Sequence, residues 1–539
     1  MHETDEFDYI VIGSGSGGAA AGVRLAQGGK HTVLIVEAGP PAKGLWTKMP
    51  LGSMMLISKG TYIRDFFTEP DPNLNNRQIY WPRGWVEGGC TTINGLMWVH
   101  GTPHLYDKWA ADGANGWGYR DLLPWFRKIE HYMGDGDPAY RGKGGPIGVT
   151  EFKPIDPAAE AFMDAYQASG VGPRVKDYNA GGFGISRMQF NTRQGVRESM
   201  VRTYIEPNRG LRNLTLATDT LVTRILLEGK RAVGVQARSG GRDLHFKARR
   251  EVILAGGTFN SAQLLELSGV GRREVLEAAG VPLVHELPMV GENLSEHVYC
   301  PLTYRSKPGI SWNKNLGTKR KVLDGMRWML RRDGRLTSLT ITTHGFASST
   351  PGSTEADMKL QIAQVSSSGN RGKGQRTMDP FDAVTLAGFQ ICPYSRGSTH
   401  ITSTDPAANP RMISNHFKDP RDMEMTLKAL RSLRRIAEAA PLAKWLINEE
   451  RPGPKGASDE GLADHLRASG ATAYHPVGSC RIGGDATNSV VDPHLQVHGL
   501  EGLRIADCSV MPTIAATNTN AIGIVIGERA ADFVLNEQA

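Results

Sequence analysis

Apolar residues fall along this chain in short runs that break into glycine. Tyr9-Ile10-Val11-Ile12 is followed by Gly13-Ser14-Gly15-Ser16-Gly17-Gly18 and then by small residues through Leu25. A β-branched run ending in glycines predicts a buried parallel strand, a tight turn and a helix. Thr32 to Val36 predicts the next strand and stops at the acid Glu37. The pattern returns later. LTLATDTLVTRILLEGKRAVGVQAR reads as strand–turn–strand with Val222 in its middle, and Arg250 to Ala255 as a buried strand ending in Gly256-Gly257. A helix follows, for which Ser261 is the expected cap. Residues 105–130 read as helices around a glycine-rich turn, and Gly39 to Gly52 as a long loop. Val490 to Asp492 predicts the start of a strand, Gly502 to Asp507 another that ends in an acid, and the segment from Met511 to Asn520 leads into a final helix. Between 300 and 465 the glycine signals fade. Leu339 to Phe346 and Ala383 to Ile391 there read as strands among basic helical stretches.

The first strand–turn–helix carries chemistry. Gly13 permits the turn, Gly15 leaves room for a pyrophosphate at the backbone, and Gly18 lets helix and strand pack closely. Phosphates would sit at the helix N-terminus, where free N–H groups and the dipole favour anions. Glu37 stands where a ribose 2′-hydroxyl needs an acceptor, and its charge argues against a 2′-phosphate. These residues predict a dinucleotide without choosing between NAD and FAD. The return to nucleotide-domain character in the last seventy or so residues is natural for an FAD fold, which must hold both ends of a longer cofactor. Asp507 there suits a ribityl hydroxyl.

Tyr80-Trp81-Pro82-Arg83-Gly84-Trp85-Val86-Glu87-Gly88-Gly89-Cys90-Thr91-Thr92-Ile93-Asn94-Gly95 combines glycines, hydroxyl or thiol side chains and an amide, so its backbone can approach a flat polar ligand. Flanking Trp81, Trp98 and Met97 argue that the segment is buried. The spacing PRGxxxGGCxxIN after an N-terminal GxGxxG resembles the first signature of the glucose–methanol–choline (GMC) oxidoreductase family of FAD enzymes, with Trp85 and Glu87 departing from its usual residues. Gly256 to Gly271 resembles the second signature, with Ala262 in place of a proline. Val290-Gly291-Glu292-Asn293-Leu294-Ser295-Glu296-His297 matches the family's VGxNLxxH turn, in which His297 reads as structural.

The resemblance implies an α/β (α+β) fold. A Rossmann-like FAD-binding domain would be formed by 1–155, 196–300 and 466–539. A substrate-binding domain, built on an antiparallel sheet with helices, would be formed by 156–195 and 301–465. It implies FAD contacts at Gly13, Gly15, Ser16, Gly18, Glu37, Ala38, Gly84, Gly88, Gly89, Cys90, Asn94, Gly95, Val222, Ala255, Asp507 and Thr519. It also implies a catalytic His/Asn pair, which falls on His475 of Tyr474-His475-Pro476-Val477-Gly478 and on Asn520 of Asn518-Thr519-Asn520. The expected reaction is oxidation of a primary or activated alcohol to the aldehyde. His475 would take the hydroxyl proton, Asn520 would supply a hydrogen bond, and hydride would leave for flavin N5. Trp81, Trp98 and Tyr474 favour an aromatic alcohol. Oxygen, giving H2O2, or a quinone-like carrier would reoxidise the flavin. Where family members tether the flavin, a histidine directly precedes the signature Asn; Ile93 precedes Asn94 here, so non-covalent FAD is expected. A lyase on the same scaffold, with a non-redox flavin, is the alternative. Hydrolase readings lack parts, since there is no GxSxG elbow and no metal-ligand spacing.

Composition adds limits. At 539 residues the chain exceeds one ordinary core. Sixty-two basic residues stand against 55 acidic ones, a net +7 spread along the chain, which does not suggest a nucleic-acid partner. Lys319, Arg320, Lys321, Arg327, Arg331, Arg332 and Arg335 read as a solvated helix face, with an acidic partner or a membrane surface as the alternative. The five cysteines lack disulfide or zinc spacing. The acidic N-terminus and the short apolar runs point to a cytoplasmic protein without an integral membrane segment. The sequence does not fix an oligomeric state.

Overall fold

The computed structural model describes residues 4–151, 156–315, 317–368 and 377–537. The first strand, Thr4–Ile12, extends beyond its apolar run, because its early residues pair with Thr4↔His245 register partners on the long strand Arg242–Leu254. Five strands lie parallel in one sheet: Leu214–Ala217, Val33–Val36, Thr4–Ile12, Arg242–Leu254 and Leu503–Ile505. Leu221–Glu228 and Arg231–Ser239 extend the sheet antiparallel. Tyr9, Ile10 and Val11 are fully buried, as strands covered on both faces must be. Val490–Asp492 forms no strand; Val491 makes only isolated bridges to Ile482 and Val497.

Helices Ser16–Gln27 and Asn520–Asn536, from opposite ends of the chain, pack on this sheet against each other. Small residues permit the approach. A Cβ on Gly17 would stand 1.8 Å from Ala506 O, and one on Gly527 2.1 Å from Gly17 O. The carboxyl-terminal return read from the sequence is therefore a packing requirement: the last strand joins the first sheet and the last helix closes on the glycine turn.

A second sheet is antiparallel throughout. Its order is Leu446–Arg451, Val298–Ser306, Ala383–Gln390, Met358–Ala363, Thr343–Ala347 and Gly184–Arg187. Met358, Leu360 and Ile362 point to one face and join a core with Leu430, Leu433 and Ile436 of the helix Pro420–Glu438. With a side-chain period of two, Lys359 and Gln361 point to the other face. That face meets the segment around Asn518.

Candidate active site

The turn after the first strand opens onto a cleft with about 1200 Å³ of space between atoms, its mouth included. Gly13 takes φ +100°, and a Cβ on it would strike Ala255 O at 2.4 Å. Nothing lies within 4 Å of where a Gly15 Cβ would stand, so its backbone faces the open cleft. Gly13, Gly15, Ser16, Glu37, Ala38, Gly84, Gly89, Cys90, Val222, Ala255 and Asp507 all line it, drawn together from six separate stretches of sequence. Five other expected contacts lie behind this wall, because the protein already uses their groups. A Cβ on Gly18 would meet Gly13 O at 2.0 Å, and one on Gly95 would meet Leu339. Gly88 donates its N–H to Ser14 Oγ at 2.9 Å. Asn94 Oδ1 accepts from Leu96 N at 3.1 Å and from Arg197 at 3.0 Å. Thr519 caps the last helix, its carbonyl accepting from Gly523 N.

The two acids at the strand ends are fixed before any ligand arrives. Glu37 accepts from Ser14 N at 3.0 Å, Ser14 Oγ at 2.6 Å and Gly39 N at 2.8 Å. That fills three of a carboxylate's roughly four acceptor positions and leaves one for a hydroxyl. Burial raises its pKa. Asp507 accepts from Gly257 N at 2.8 Å, Ser261 Oγ at 2.5 Å and Ser509 N at 2.8 Å. Ser261 is thus not a helix cap: the helix runs Gly257–Leu267, and the serine sits one turn inside, holding Asp507. The donors and acceptors fit an extended dinucleotide. A helix N-terminus lines the cleft together with both acids, and the amide Nδ2 of Asn520 is buried with no partner among the described residues. Asn520 Oδ1 accepts from Ser16 Oγ at 2.8 Å, which places this amide on the glycine turn.

Arg197 braces the Cys90–Asn94 loop from behind. It is buried without a carboxylate and donates to Thr91 O, Asn94 O and Pro50 O at 3.2, 2.8 and 3.0 Å. Burial pulls its pKa down to about 9.

His475 ends a chain of hydrogen bonds whose directions are determined. Ile391 O can only accept, so His297 Nε2 carries the proton of that contact and His297 Nδ1 is an acceptor. The Nδ1 atoms of His297 and His475 lie 3.1 Å apart, so His475 Nδ1–H is the donor. His475 Nε2 is then the acceptor nitrogen of the ring. Asn518 Nδ2 donates to it at 3.0 Å, and Asn518 Oδ1 accepts from Lys359 Nζ at 3.2 Å, which fixes the amide's orientation. Burial lowers the His475 pKa well below that of an ordinary histidine, and the neighbouring His297, Lys359 and Arg83 lower it further. His297 is held down to about 3 by burial. Glu296 binds both backbones: its Oε1 accepts from His475 N at 2.9 Å and His297 N at 2.7 Å, and its Oε2 from Thr472 Oγ1 at 2.8 Å. Burial pushes its carboxyl up to about 7. Glu296, His297 and His475 have the residue types and closeness of a metal cluster, yet each facing atom is engaged in these hydrogen bonds.

Known proteins match this architecture from end to end. The GMC oxidoreductase models match residues 7–299 and 393–527. The chain belongs to the GMC oxidoreductase family. It is accordingly an FAD-dependent enzyme acting on alcohols. An oxygen-dependent choline dehydrogenase of Photobacterium profundum is 34% identical over 98% of this chain and 93% of its own. One from Paraburkholderia xenovorans is 36% identical over 99% and 95%. Among solved structures, pyridoxine 4-oxidase from Mesorbium loti superposes with TM-score 0.88 at 25% identity, covering 98% of this chain and 99% of that one. Formate oxidase superposes with TM-score 0.91 at 24% identity, covering 100% and 99%, and shows likeness of fold. Among the described residues no helix is long and apolar enough to cross a membrane.

Within this GMC fold the imidazole's partner is Asn518, where sequence reasoning puts Asn520. The two are separated by one residue just ahead of a helix, so they point to different sites: one to the histidine, one to the glycine turn. The motif holds both asparagines and cannot rank them. His297, expected to be structural, touches His475 directly. Lys359 and Glu296 carried no signal in the sequence. The aromatic expectation changes as well. Trp81 stacks on Phe259 at 5.3 Å and Trp98 donates to Glu130 at 2.9 Å, both within the core, so neither is free to meet a substrate.

Proposed function

We propose that the protein oxidises a primary or activated alcohol to the aldehyde, with His475 as the base and Asn518 as the group that orients the hydroxyl. The observation that carries this reading is the chain from Ile391 O through His297 and His475 to Asn518, which supports a neutral His475 with its Nε2 lone pair presented forward. FAD, when bound, supplies the two-electron acceptor for the hydride on the carbinol carbon. His475 Nε2 takes the hydroxyl proton, the Asn518 amide steadies the oxygen that loses it, and burial excludes water. Histidine neutral at working pH is a competent base without prior deprotonation. Gly13, Gly15, Glu37 and Asp507 hold the cofactor's nucleotide and ribityl portions. Ile93 at the tethering position supports a non-covalent flavin.

The relatives' names put choline among the alcohols to test, with oxygen or a quinone-like carrier as the final acceptor. Anaerobic mixing with a reactive alcohol bleaches the flavin, and His475→Ala slows that step by roughly 10²–10⁴-fold while the flavin stays bound. Reduction near the wild-type rate in His475→Ala would place the base elsewhere. An oxidised flavin during turnover would instead favour the lyase. Acid precipitation should release the flavin into the supernatant. Assays with oxygen and a soluble quinone in parallel identify the acceptor.

A further inference from the structure

Lys359 is buried on the strand Met358–Ala363, and its strand neighbours Phe346 and Phe389 flank it in register. Its one hydrogen bond among the described residues is to Asn518 Oδ1, and its ammonium lies 5.5 Å from the Phe389 ring centre. Burial pulls its pKa down to about 7; an ammonium has three donors, and a ligand carboxylate is the group that would hold a buried one charged. The same face carries more unsatisfied polar atoms: His344 Nδ1 and Gln361 Oε1 are buried without partners. Among the described residues no carboxylate pairs with this lysine, which lies one amide away from the proposed base. We propose that Lys359 receives a carboxylate on the alcohol itself, so that the site selects hydroxycarboxylates and rejects quaternary ammonium alcohols. This rests on the reading of His475 and Asn518 as the alcohol site.

Anaerobic flavin reduction by ω-hydroxycarboxylates of graded length, their neutral amides and choline tests it. The acids should exceed their amides roughly 10–100-fold in kcat/KM, as expected for hydrogen bonds to a charged group, and Lys359→Gln should erase the difference. The variant should also move the acid limb of the rate upward in pH, since the ammonium lowers the His475 pKa. Preference of the wild-type enzyme for the amides or choline overturns the proposal and leaves alcohol oxidation standing. Failure of every alcohol to bleach the flavin overturns both.

A second observation lies on the surface. In the helix Thr318–Arg331, Val322, Leu323, Met326, Met329 and Leu330 are each more than half exposed, Leu330 at 79%. At about 100° per residue these five form one stripe. Trp328 lies on the opposite side, fully buried against Met49 and Val196 and donating to Gly195 O at 2.7 Å. The helix is thus anchored by its back and turns its apolar face outward. Arg320, Arg327 and Arg331 run along one edge of the stripe, Arg320 and Arg327 each also paired with an acid, Asp324 and Asp333, and exposed Met54 and Met55 belong to the segment that contributes Met49. An apolar stripe edged with basic residues matches an anionic bilayer surface, where the stripe enters the acyl boundary and the cations meet headgroups. We infer that this face docks on anionic membranes, in place of the solvated helix face read from the sequence. Purified holoenzyme should co-sediment with phosphatidylglycerol-containing vesicles and not with phosphatidylcholine alone, and Leu330→Glu should weaken that binding about tenfold or more. No binding to either vesicle overturns the inference, as does a dimer in solution that Leu330→Glu converts to monomer.

Discussion

The nucleotide cleft and the inner face of the second sheet meet within one molecule but are built on different rules. In the cleft, backbone geometry shapes the candidate site. Gly13 and Gly17 are required because a Cβ at either would collide with main-chain oxygen, that of Ala255 and that of Ala506. On the inner face, side chains form the candidate site. His475, His297, Asn518 and Lys359 come from four segments and meet only because strands and loops are in register. A backbone site leaves a spacing in the sequence; a side-chain site leaves residue types that many positions share.

That contrast can be broken first at the cleft. Gly17→Val places carbon within 1.8 Å of Ala506 O and parts the first and last helices, so the expected product is colourless or unfolded protein, checked by flavin absorbance and circular dichroism. A yellow, stable variant would mean that the close helix approach is dispensable.

The next largest effect is on stability and falls on the inner face. The Glu296 carboxyl lies at about 7 in the fold against an ordinary value of 4.5. Between those values the native state holds a proton that the unfolded chain has released, so stability falls as pH rises through the window, by on the order of 3 kcal/mol. Glu296→Gln keeps an acceptor for both backbone N–H groups and offers a donor to Thr472. It should flatten that dependence in thermal melts between pH 4.5 and 7; an unchanged slope would assign the dependence to another group.

The two asparagines sharpen the comparison further. Asn518→Ala should slow flavin reduction by about 10–100-fold with the flavin retained, the loss of a hydrogen bond to a charging group. Asn520→Ala should instead weaken flavin retention and leave the reduction rate within about twofold, since its amide faces Ser16. Equal kinetic loss in both would merge the two sites into one.

The smallest expected effect is a displacement of a pH profile. Because burial and neighbouring cations hold His475 neutral, the acid limb of kcat/KM should lie below pH 6.5. A limb at or above that value would show that substrate binding restores the imidazole's basicity.

Much of the first region was legible in the chain. The strand–turn–helix, Glu37 and Asp507 at strand ends, and the carboxyl-terminal return were all present as patterns, because a buried parallel strand and a glycine turn impose local demands on residue type. Ser261 was misread because Gly257 begins the helix and the serine's oxygen goes to an acid 246 residues away in sequence. The exposed stripe of the helix Thr318–Arg331 was hidden by its own basic residues, since charge spacing does not tell which side of a helix the protein covers.

By itself, then, the sequence determined the nucleotide fold and the family and singled out His475 as the candidate base, all of which rest on short-range rules of backbone conformation and motif spacing. Only the tertiary structure decided which asparagine contacts His475, which nitrogen of that imidazole is the acceptor, and that a buried lysine stands beside them. Those outcomes depend on the direction of single hydrogen bonds and on the parity of a strand, and a one-residue shift in either sends the side chain to the opposite face.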